Sequence, residues 1–124
     1  MKLVDSSGWL EYFAEGPNAD SFAPAVEGVS ELIVPTLSLC EVFQRVLQQR
    51  GEGEALQAAA VMMEGQVVEL TAEIALEAAR LSVEMKLPMA DSVMLATARV
   101  SGAELWTQDT DFRGIQGVRY IAKE

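Results

Sequence analysis

The 124-residue sequence contains no histidine. Histidine is the usual general base of enzymes and the usual ligand of zinc or iron, so any catalytic site in this chain must rely on other groups. The remaining options are carboxylates, an activated nucleophile or a cation held by oxygen atoms. Among cations, Mg²⁺ or Mn²⁺ is the natural candidate for a site made of oxygen ligands.

Cysteine and long apolar runs are also scarce. Cys40 is the only cysteine, so the chain can form no internal disulfide and no soft-metal site from thiolates, which favours a reducing compartment. The N-terminus reaches Asp5 before a signal-like apolar stretch can form, and no later run is long enough to cross a bilayer. We therefore expect a soluble, cytoplasmic protein that has no contact with a membrane.

Basic residues are few, with nine Lys and Arg against nineteen Asp and Glu and a formal net charge of −10. This balance argues against nucleic-acid binding through a broad basic surface. It is still compatible with a nuclease, because divalent ions bound by clustered carboxylates reverse the sign of the local field where a phosphate docks. The same acidity also suits a basic protein partner.

Apolar segments of two kinds alternate along the chain. Half of the residues are hydrophobic, which is enough for one domain spanning residues 1–124 without disulfides. Strand-like segments alternate with helix-like ones, which predicts an α/β three-layer sandwich with a short, mainly parallel sheet flanked by helices. The predicted strands are Lys2–Val4, Leu32–Val34, Val67–Leu70, Leu105–Thr107 and Val118–Ile121. The predicted helices are a short one through Trp9–Phe13, a weak one through Phe22–Val26, and Leu37–Arg50, Glu54–Glu64, Ala72–Met85 and Asp91–Val100.

Four acids, Asp5, Glu41, Asp91 and Asp109, stand where a strand ends or a helix begins. In a parallel sheet, the carboxyl ends of the strands and the N-termini of the crossover helices share one edge, where ligands bind. Two carboxylates about 5 Å apart repel each other by roughly 3 kcal/mol at an effective dielectric constant near 20. A bound divalent cation is the largest counter-charge available, so the four acids predict a metal site.

Each acid also has a purely structural alternative. Asp5 and Asp91 could cap helices, and Asp109 could form an Asx-turn. For Glu41 the alternatives are a capping box with Ser38 or an ion pair with Arg45 one turn away.

The sequence offers two roles or more for several neighbouring residues. Asp111 offers a second carboxylate after the fourth strand, and we favour Asp109 as the ligand and Asp111 as a turn or supporting residue. The aromatic residues of the first helix could stack on bases, although a core face is the preferred interpretation. The side chains that could contact a phosphate are Arg45, Arg99 and Arg113, and the sequence does not choose among them.

Four segments of the chain resemble the PIN-domain family in their order and spacing. They are Leu3-Val4-Asp5-Ser6-Ser7, Leu39-Cys40-Glu41-Val42, Ala90-Asp91-Ser92 and Leu105-Trp106-Thr107-Gln108-Asp109-Thr110-Asp111-Phe112. Within that family, the short chain is similar to the VapC-type ribonuclease toxins of toxin–antitoxin pairs. The resemblance implies a parallel sheet flanked by helices, a Mg²⁺- or Mn²⁺-dependent endoribonuclease site, frequent homodimers, and inhibition by a small antitoxin.

The resemblance also implies roles for particular residues. Asp5, Glu41, Asp91 and Asp109 would be the acidic catalytic and metal-binding residues, with Thr107 as the small hydroxyl residue beside the last of them. The expected reaction is hydrolysis of RNA phosphodiester bonds, with an antitoxin whose basic tail enters the acidic pocket. The alternative is a non-catalytic PIN-like module whose acidic pocket docks an arginine or lysine of a partner protein.

Overall fold

Five short strands form the central sheet of the protein. The computed structural model describes residues 1–124, and every strand pairing in it is parallel. The predicted α/β class is therefore confirmed, and the sheet is wholly parallel where the sequence predicted a mainly parallel one. The strands are β1 (Lys2–Val4), β2 (Leu32–Pro35), β3 (Gln66–Val68), β4 (Glu104–Thr107) and β5 (Val118–Tyr120).

Six α-helices connect and cover the strands. The bounds of α3 and α5 agree with the predictions to within one residue. α1 and α2 begin three residues earlier than expected, α6 begins two residues earlier, and α4 begins and ends two residues earlier. Short 3₁₀ helices span Val29–Glu31 and Thr110–Phe112. None of the helices has both the length and the apolar character needed to cross a membrane. The helices are α1 (Ser6–Phe13), α2 (Ala19–Glu27), α3 (Thr36–Arg50), α4 (Glu52–Met62), α5 (Ala72–Met85) and α6 (Met89–Val100).

The core lies on both faces of the sheet, because successive strand residues point to opposite sides. In β1, for example, Leu3 belongs to one buried cluster and Val4 to the other. The first cluster packs the sheet against α5 and α6, and the second packs it against α1, α2, α3 and α4. This arrangement is the predicted three-layer sandwich.

One part of the predicted core is wrong. The spacing of apolar residues in Leu37–Arg50 predicts an inward face made of Leu39, Val42, Phe43, Val46 and Leu47. Val42 and Val46 are buried, and Leu39 and Phe43 are partly buried against the same cluster, but the side chain of Leu47 is 41% exposed. Each helical residue is rotated by about 100° from the one before it. With Val46 directed inward, Leu47 turns towards solvent.

The strand order β3-β2-β1-β4-β5 places a topological switch point between β1 and β4. The chain builds the sheet outward from β1 on one side and then continues on the other side with β4. Ligands of open parallel sheets bind in the crevice at such a point, outside the carboxyl ends of the strands. Asp5 directly follows β1, and Asp109 lies two residues after β4. Both acids therefore flank this crevice.

A glycine permits the tight connection from β1 to α1. A Cβ atom on Gly8 would lie 2.6 Å from Val4 Cγ1 and 2.7 Å from Phe22 Cε1. Such distances are too short for any larger residue to fit without moving its neighbours. The close approach lets α1 begin at Ser6, directly after Asp5, and so fixes Asp5 at the edge of the sheet.

Candidate functional site

Three carboxylates meet at the carboxyl edge of the sheet. One oxygen atom from each of Asp91, Asp109 and Asp111 lies within 4.8 Å of the other two. Asp91 is in the first turn of α6, Asp109 follows β4, and Asp111 lies in the 3₁₀ helix after it. Asp91 and Asp109 are partly buried, whereas Asp111 is exposed. The sequence favoured a turn or supporting role for Asp111, but the structure brings its carboxylate into the group.

Asp5 lies below this group and is only 4% exposed. Its Oδ1 accepts hydrogen bonds from Ser7 Oγ (2.7 Å) and the Gly8 amide (3.1 Å), and its Oδ2 accepts one from Thr107 Oγ1 (2.6 Å). Burial raises the pKa of Asp5 and the three donors lower it, while the negative charge of Asp109 raises it further. The net pKa is raised, so the cost of burial outweighs the hydrogen bonds.

The carboxyl group of Asp91 also has a strongly raised pKa. Desolvation is the main cause that raises its pKa, from the ordinary 3.8 to about 7. The charge of Asp109, a hydrogen bond with Asp111 and the charges of Asp111 and Asp5 raise the pKa of Asp91 further. No neighbouring group lowers it. The protein therefore gathers negative charge around Asp91 without supplying a cation of its own.

The three grouped carboxylates suit a hard divalent cation. Mg²⁺ and Mn²⁺ prefer carboxylate oxygens as ligands. Two oxygens that each lie about 2.1 Å from Mg²⁺ are at most about 4.2 Å apart. Since the oxygens of Asp91, Asp109 and Asp111 already lie within 4.8 Å of one another, only small side-chain rotations would close them around an ion. A bound cation would also offset the repulsion that raises the pKa of Asp91.

Glu41 lies outside the group of three. It is partly buried on α3, and its Oε1 accepts a 2.6 Å hydrogen bond from Ser6 Oγ. Ser6 is the first residue of α1 and follows Asp5 directly. This bond ties the Glu41 carboxylate to the helix N-terminus beside Asp5. Of the four acids predicted from the sequence, Asp91 and Asp109 belong to the group of three and Asp5 is buried next to it. Glu41 lies on α3 and is bonded to Ser6 at the start of α1.

The structural alternatives apply to two of the four acids. Asp5 does cap α1, because its side chain accepts the amide of Gly8. Asp109 does cap the 3₁₀ helix, because its Oδ1 accepts the amide of Asp111 at 2.9 Å. In both residues the second carboxylate oxygen is not needed for the cap. Capping and metal binding are therefore compatible at these positions.

The corresponding alternatives fail for Asp91 and Glu41. The N-cap of α6 is Pro88, and the side chain of Asp91 caps nothing. Ser38 forms no capping box with Glu41, since it lies inside α3 and donates its hydroxyl to Met94 Sδ. The chain has two ion pairs, Arg50–Glu54 and Arg119–Glu104, so Glu41 is not paired with Arg45.

A buried polar network next to the site was missed by the sequence analysis. Gln108 precedes Asp109 and is 7% exposed. Its Oε1 accepts from Asn18 Nδ2 (3.0 Å), and its Nε2 donates to Glu11 Oε1 (3.3 Å). Asn18 Nδ2 also donates to the carbonyl of Ala122. The network fixes the backbone that carries Asp109, and its partners are up to 104 residues apart, so no local sequence signal could reveal it.

Thr107 should be important for stability because its hydroxyl serves two site residues. It donates to Asp5 Oδ2 at 2.6 Å and accepts from the Asp109 amide at 2.9 Å. Thr107→Val should lower the free energy of unfolding by about 2–3 kcal/mol, since it leaves a buried carboxylate short of one donor. Urea unfolding measures this loss.

Thr97→Val is the matched control for that prediction. Thr97 is equally buried, but its hydroxyl donates only to the carbonyl of Val93, one turn earlier in α6. Because that carbonyl belongs to the helix, the control should lose less than about 1 kcal/mol. Equal losses in the two variants would show that the bond to Asp5 has no special value.

The fold and the acid group define a class: α/β proteins that carry an acidic pocket at the switch point of a parallel sheet. Within this class the chain belongs to the PIN-domain family, whose sequence model matches residues 2–118. The family predicted from the sequence motifs is therefore confirmed. No curated protein shows significant sequence similarity to the chain.

Several solved structures share the fold. A toxin–antitoxin complex from Klebsiella pneumoniae contains a chain with a TM-score of 0.84 and 23% identity, over 100% of both chains. VapC20 from Mycobacterium tuberculosis, a toxin that cleaves the sarcin–ricin loop, has a TM-score of 0.72 and 18% identity over 91% of this chain and 92% of its own. VapBC2 from Rickettsia felis, bound to a DNA fragment from its promoter, has a TM-score of 0.75 and 11% identity over 99% and 98%. The fold is thus that of VapC-type proteins.

Proposed function

We propose that the protein is a divalent-metal-dependent endoribonuclease and the toxin of a toxin–antitoxin pair. The observation that carries this proposal is the group of Asp91, Asp109 and Asp111 above the buried Asp5, at the switch point of a PIN fold. The cofactor would be Mg²⁺ or Mn²⁺, and the reaction would be hydrolysis of a phosphodiester bond in RNA.

The acids would divide the work according to their surroundings. Asp91, Asp109 and Asp111 would hold the cation, with Asp5 fixed below them by its three donors. Glu41, oriented by Ser6, would ligate the cation or position the attacking water. The cation would act as a Lewis acid at the scissile phosphate and help to activate water. The chain needs no histidine and no covalent intermediate for this reaction.

The proposed substrate and partner are supported by the structural neighbours. One neighbour is part of a toxin–antitoxin complex, and another cleaves the sarcin–ricin loop. An unpaired loop is also the form of RNA whose phosphates a small acidic site can reach. The proposed inhibitor is a small antitoxin with a basic tail, which would suit the acid group and the net charge of −10. We place the activity in the cytoplasm, where the protein would meet its RNA substrate and its antitoxin.

A homodimer is part of the proposal, and α5 offers a surface for it. Leu76 and Val83 are 72% and 80% exposed on this helix. If two copies of α5 pack antiparallel about a two-fold axis, Leu76 can face Val83 of the second copy. The same register would bring Glu73 near the C-terminal end of α5 in the second copy, which Lys86 follows directly. Apolar contact and opposite charge would then support the same pairing.

Cleavage of a panel of RNAs with unpaired loops tests the proposed function directly. The purified protein should cleave at least one RNA with Mn²⁺ or Mg²⁺. In excess EDTA its cleavage rate should fall about tenfold or more, and the rate should return when Mn²⁺ is restored. Gel analysis of end-labelled RNA would show internal cuts. A protein that binds Mn²⁺ in calorimetry but cuts no RNA would contradict the nuclease and favour the non-catalytic module.

A further inference from the structure

A groove of about 660 Å³ opens next to the acid group, between α1, α3, α4 and the C-terminal segment. Its lining includes Ser7 and Gln108. Ser7 donates to Asp5, and Gln108 directly precedes Asp109, so the groove adjoins the site. The floor includes Leu10, Phe13 and other apolar side chains. A polymer that is cut at the acids can therefore continue into this groove.

The groove carries positive charge in a strongly acidic protein. Three of the nine basic residues of the chain line it, namely Arg45, Arg50 and Lys123, together with only two acids. One acid, Glu54, is paired with Arg50 at 3.3 Å. Arg45 and Lys123 take part in neither of the two ion pairs of the chain. The groove thus has two cationic side chains without a carboxylate partner.

The second acid of the groove is already occupied. Glu11 accepts hydrogen bonds from the backbone amide of Asn18 (2.7 Å) and from Gln108 Nε2 (3.3 Å), so its oxygens are turned towards the protein.

The C-terminal segment, residues 121–124, which carries Lys123, is also held in place. The Ile121 amide donates to the Thr107 carbonyl at 2.8 Å, and the Ala122 carbonyl accepts from Asn18 Nδ2 at 2.9 Å.

We propose that Arg45 and Lys123 bind phosphates of single-stranded RNA next to the scissile phosphate, with the apolar floor of the groove against a base. This inference rests on the proposed ribonuclease activity and deepens it. Unpaired cations on an apolar floor are the combination by which proteins hold single strands. An apolar protein helix would use the floor, but it would leave both cations without a counter-charge.

The other arginines considered from the sequence are engaged elsewhere. Arg99 donates to the carbonyl of Gln116 at 3.4 Å, and Arg113 lies 5.5 Å from the ring centre of Tyr120. Neither of them lines the groove. The structure therefore selects Arg45 from the three candidates and adds Lys123, which the sequence analysis did not consider.

The double variant Arg45→Gln/Lys123→Gln tests the inference on a short single-stranded RNA that the parent cleaves with Mn²⁺. We expect KM to rise about tenfold while kcat stays within about twofold of the parent, because the cations bind substrate away from the reacting bond. The slope of log(kcat/KM) against log[salt] should become shallower by about 1.4, since each lost phosphate contact on a single strand contributes about 0.7. A purely structural role would not change this slope.

Arg99→Gln/Arg119→Gln is the matched control, because it removes the same charge. Arg99 lies at the end of α6 opposite to the turn that carries Asp91, and the control should keep the parent's KM and salt slope. A groove variant with the parent's KM and slope would overturn the inference, leave the nuclease intact and assign the groove to a protein segment. A groove variant that loses only kcat would overturn it too. A parent that cleaves no RNA would remove the proposed function, and the inference with it.

Discussion

Replacing Asp91 by Asn should lower Mn²⁺-dependent RNA cleavage by more than about 100-fold. Asp91 has no structural duty in the fold, since its side chain caps no helix and its surroundings only raise its pKa. Residues that merely support metal ligands cost about 10–100-fold when they are changed. Loss of a direct ligand should exceed that range. Initial rates at saturating Mn²⁺ measure the effect.

The same substitution should stabilise the metal-free protein above pH 7. At that pH, the ionised Asp91 carboxylate is desolvated and repelled by Asp109, and asparagine relieves both effects. Mn²⁺ should raise the Tm of the parent but not that of Asp91→Asn, because the ion binds only the native site of the parent. A variant that loses cleavage by unfolding would instead show a lower Tm without metal.

Asp20→Asn is a suitable control for both measurements. Asp20 is exposed and lies in the first turn of α2, so it matches Asp91 in residue type and helix position without belonging to the acid group. Its cleavage rate and its response to Mn²⁺ should equal those of the parent. If Asp91→Asn also cleaves at the parent's rate while folded, Asp91 has no role in the reaction.

The fold could be predicted because its elements have strong local signals. The strands contain short apolar segments, and Thr71, which directly precedes the predicted helix Ala72–Met85, caps α5 through its bond to the Ile74 amide. The edges of elements were less predictable. Glu69 and Leu70 fall outside β3 because only Gln66–Val68 find partners on β2. That limit depends on contacts between distant segments, which a local pattern does not contain.

The site was predictable to the extent that topology alone determines it. One geometric rule placed Asp91 and Asp109 at a shared edge, and the structure brings their carboxylates together. The rule does not say which way a side chain turns. It could not indicate that Asp111 would join the group, or that Ser6 would bind Glu41. Direct binding of a metal by Asp5, Glu41, Asp91 and Asp109 stays a prediction.

Stability of the metal-free protein should fall as pH rises from 5 to 8. In the folded protein the pKa of Asp91 is about 7, whereas its ordinary value is 3.8. Between these values the folded chain holds a proton that the unfolded chain has released. The stabilisation from protonated Asp91 is therefore complete below the pKa of the unfolded chain, 3.8, and is lost as pH rises through the folded pKa of about 7. The raised pKa of Asp5 acts in the same direction. Urea unfolding in EDTA measures this trend.

Metal binding should show the opposite dependence on pH, because the ion needs ionised carboxylates. Below pH 7 each Mn²⁺ must displace the proton of Asp91, so its affinity should fall by a factor that approaches about tenfold per pH unit, or about 50-fold from pH 7 to pH 5. Calorimetry in buffers of different ionisation enthalpy should detect release of about one proton at pH 6 and almost none at pH 8.5. Asp20→Asn should behave like the parent. If Mn²⁺ binds at pH 6 without proton release, the proton is not on the group that receives the metal, and Asp91 would then be a neighbour of the ion instead of its ligand.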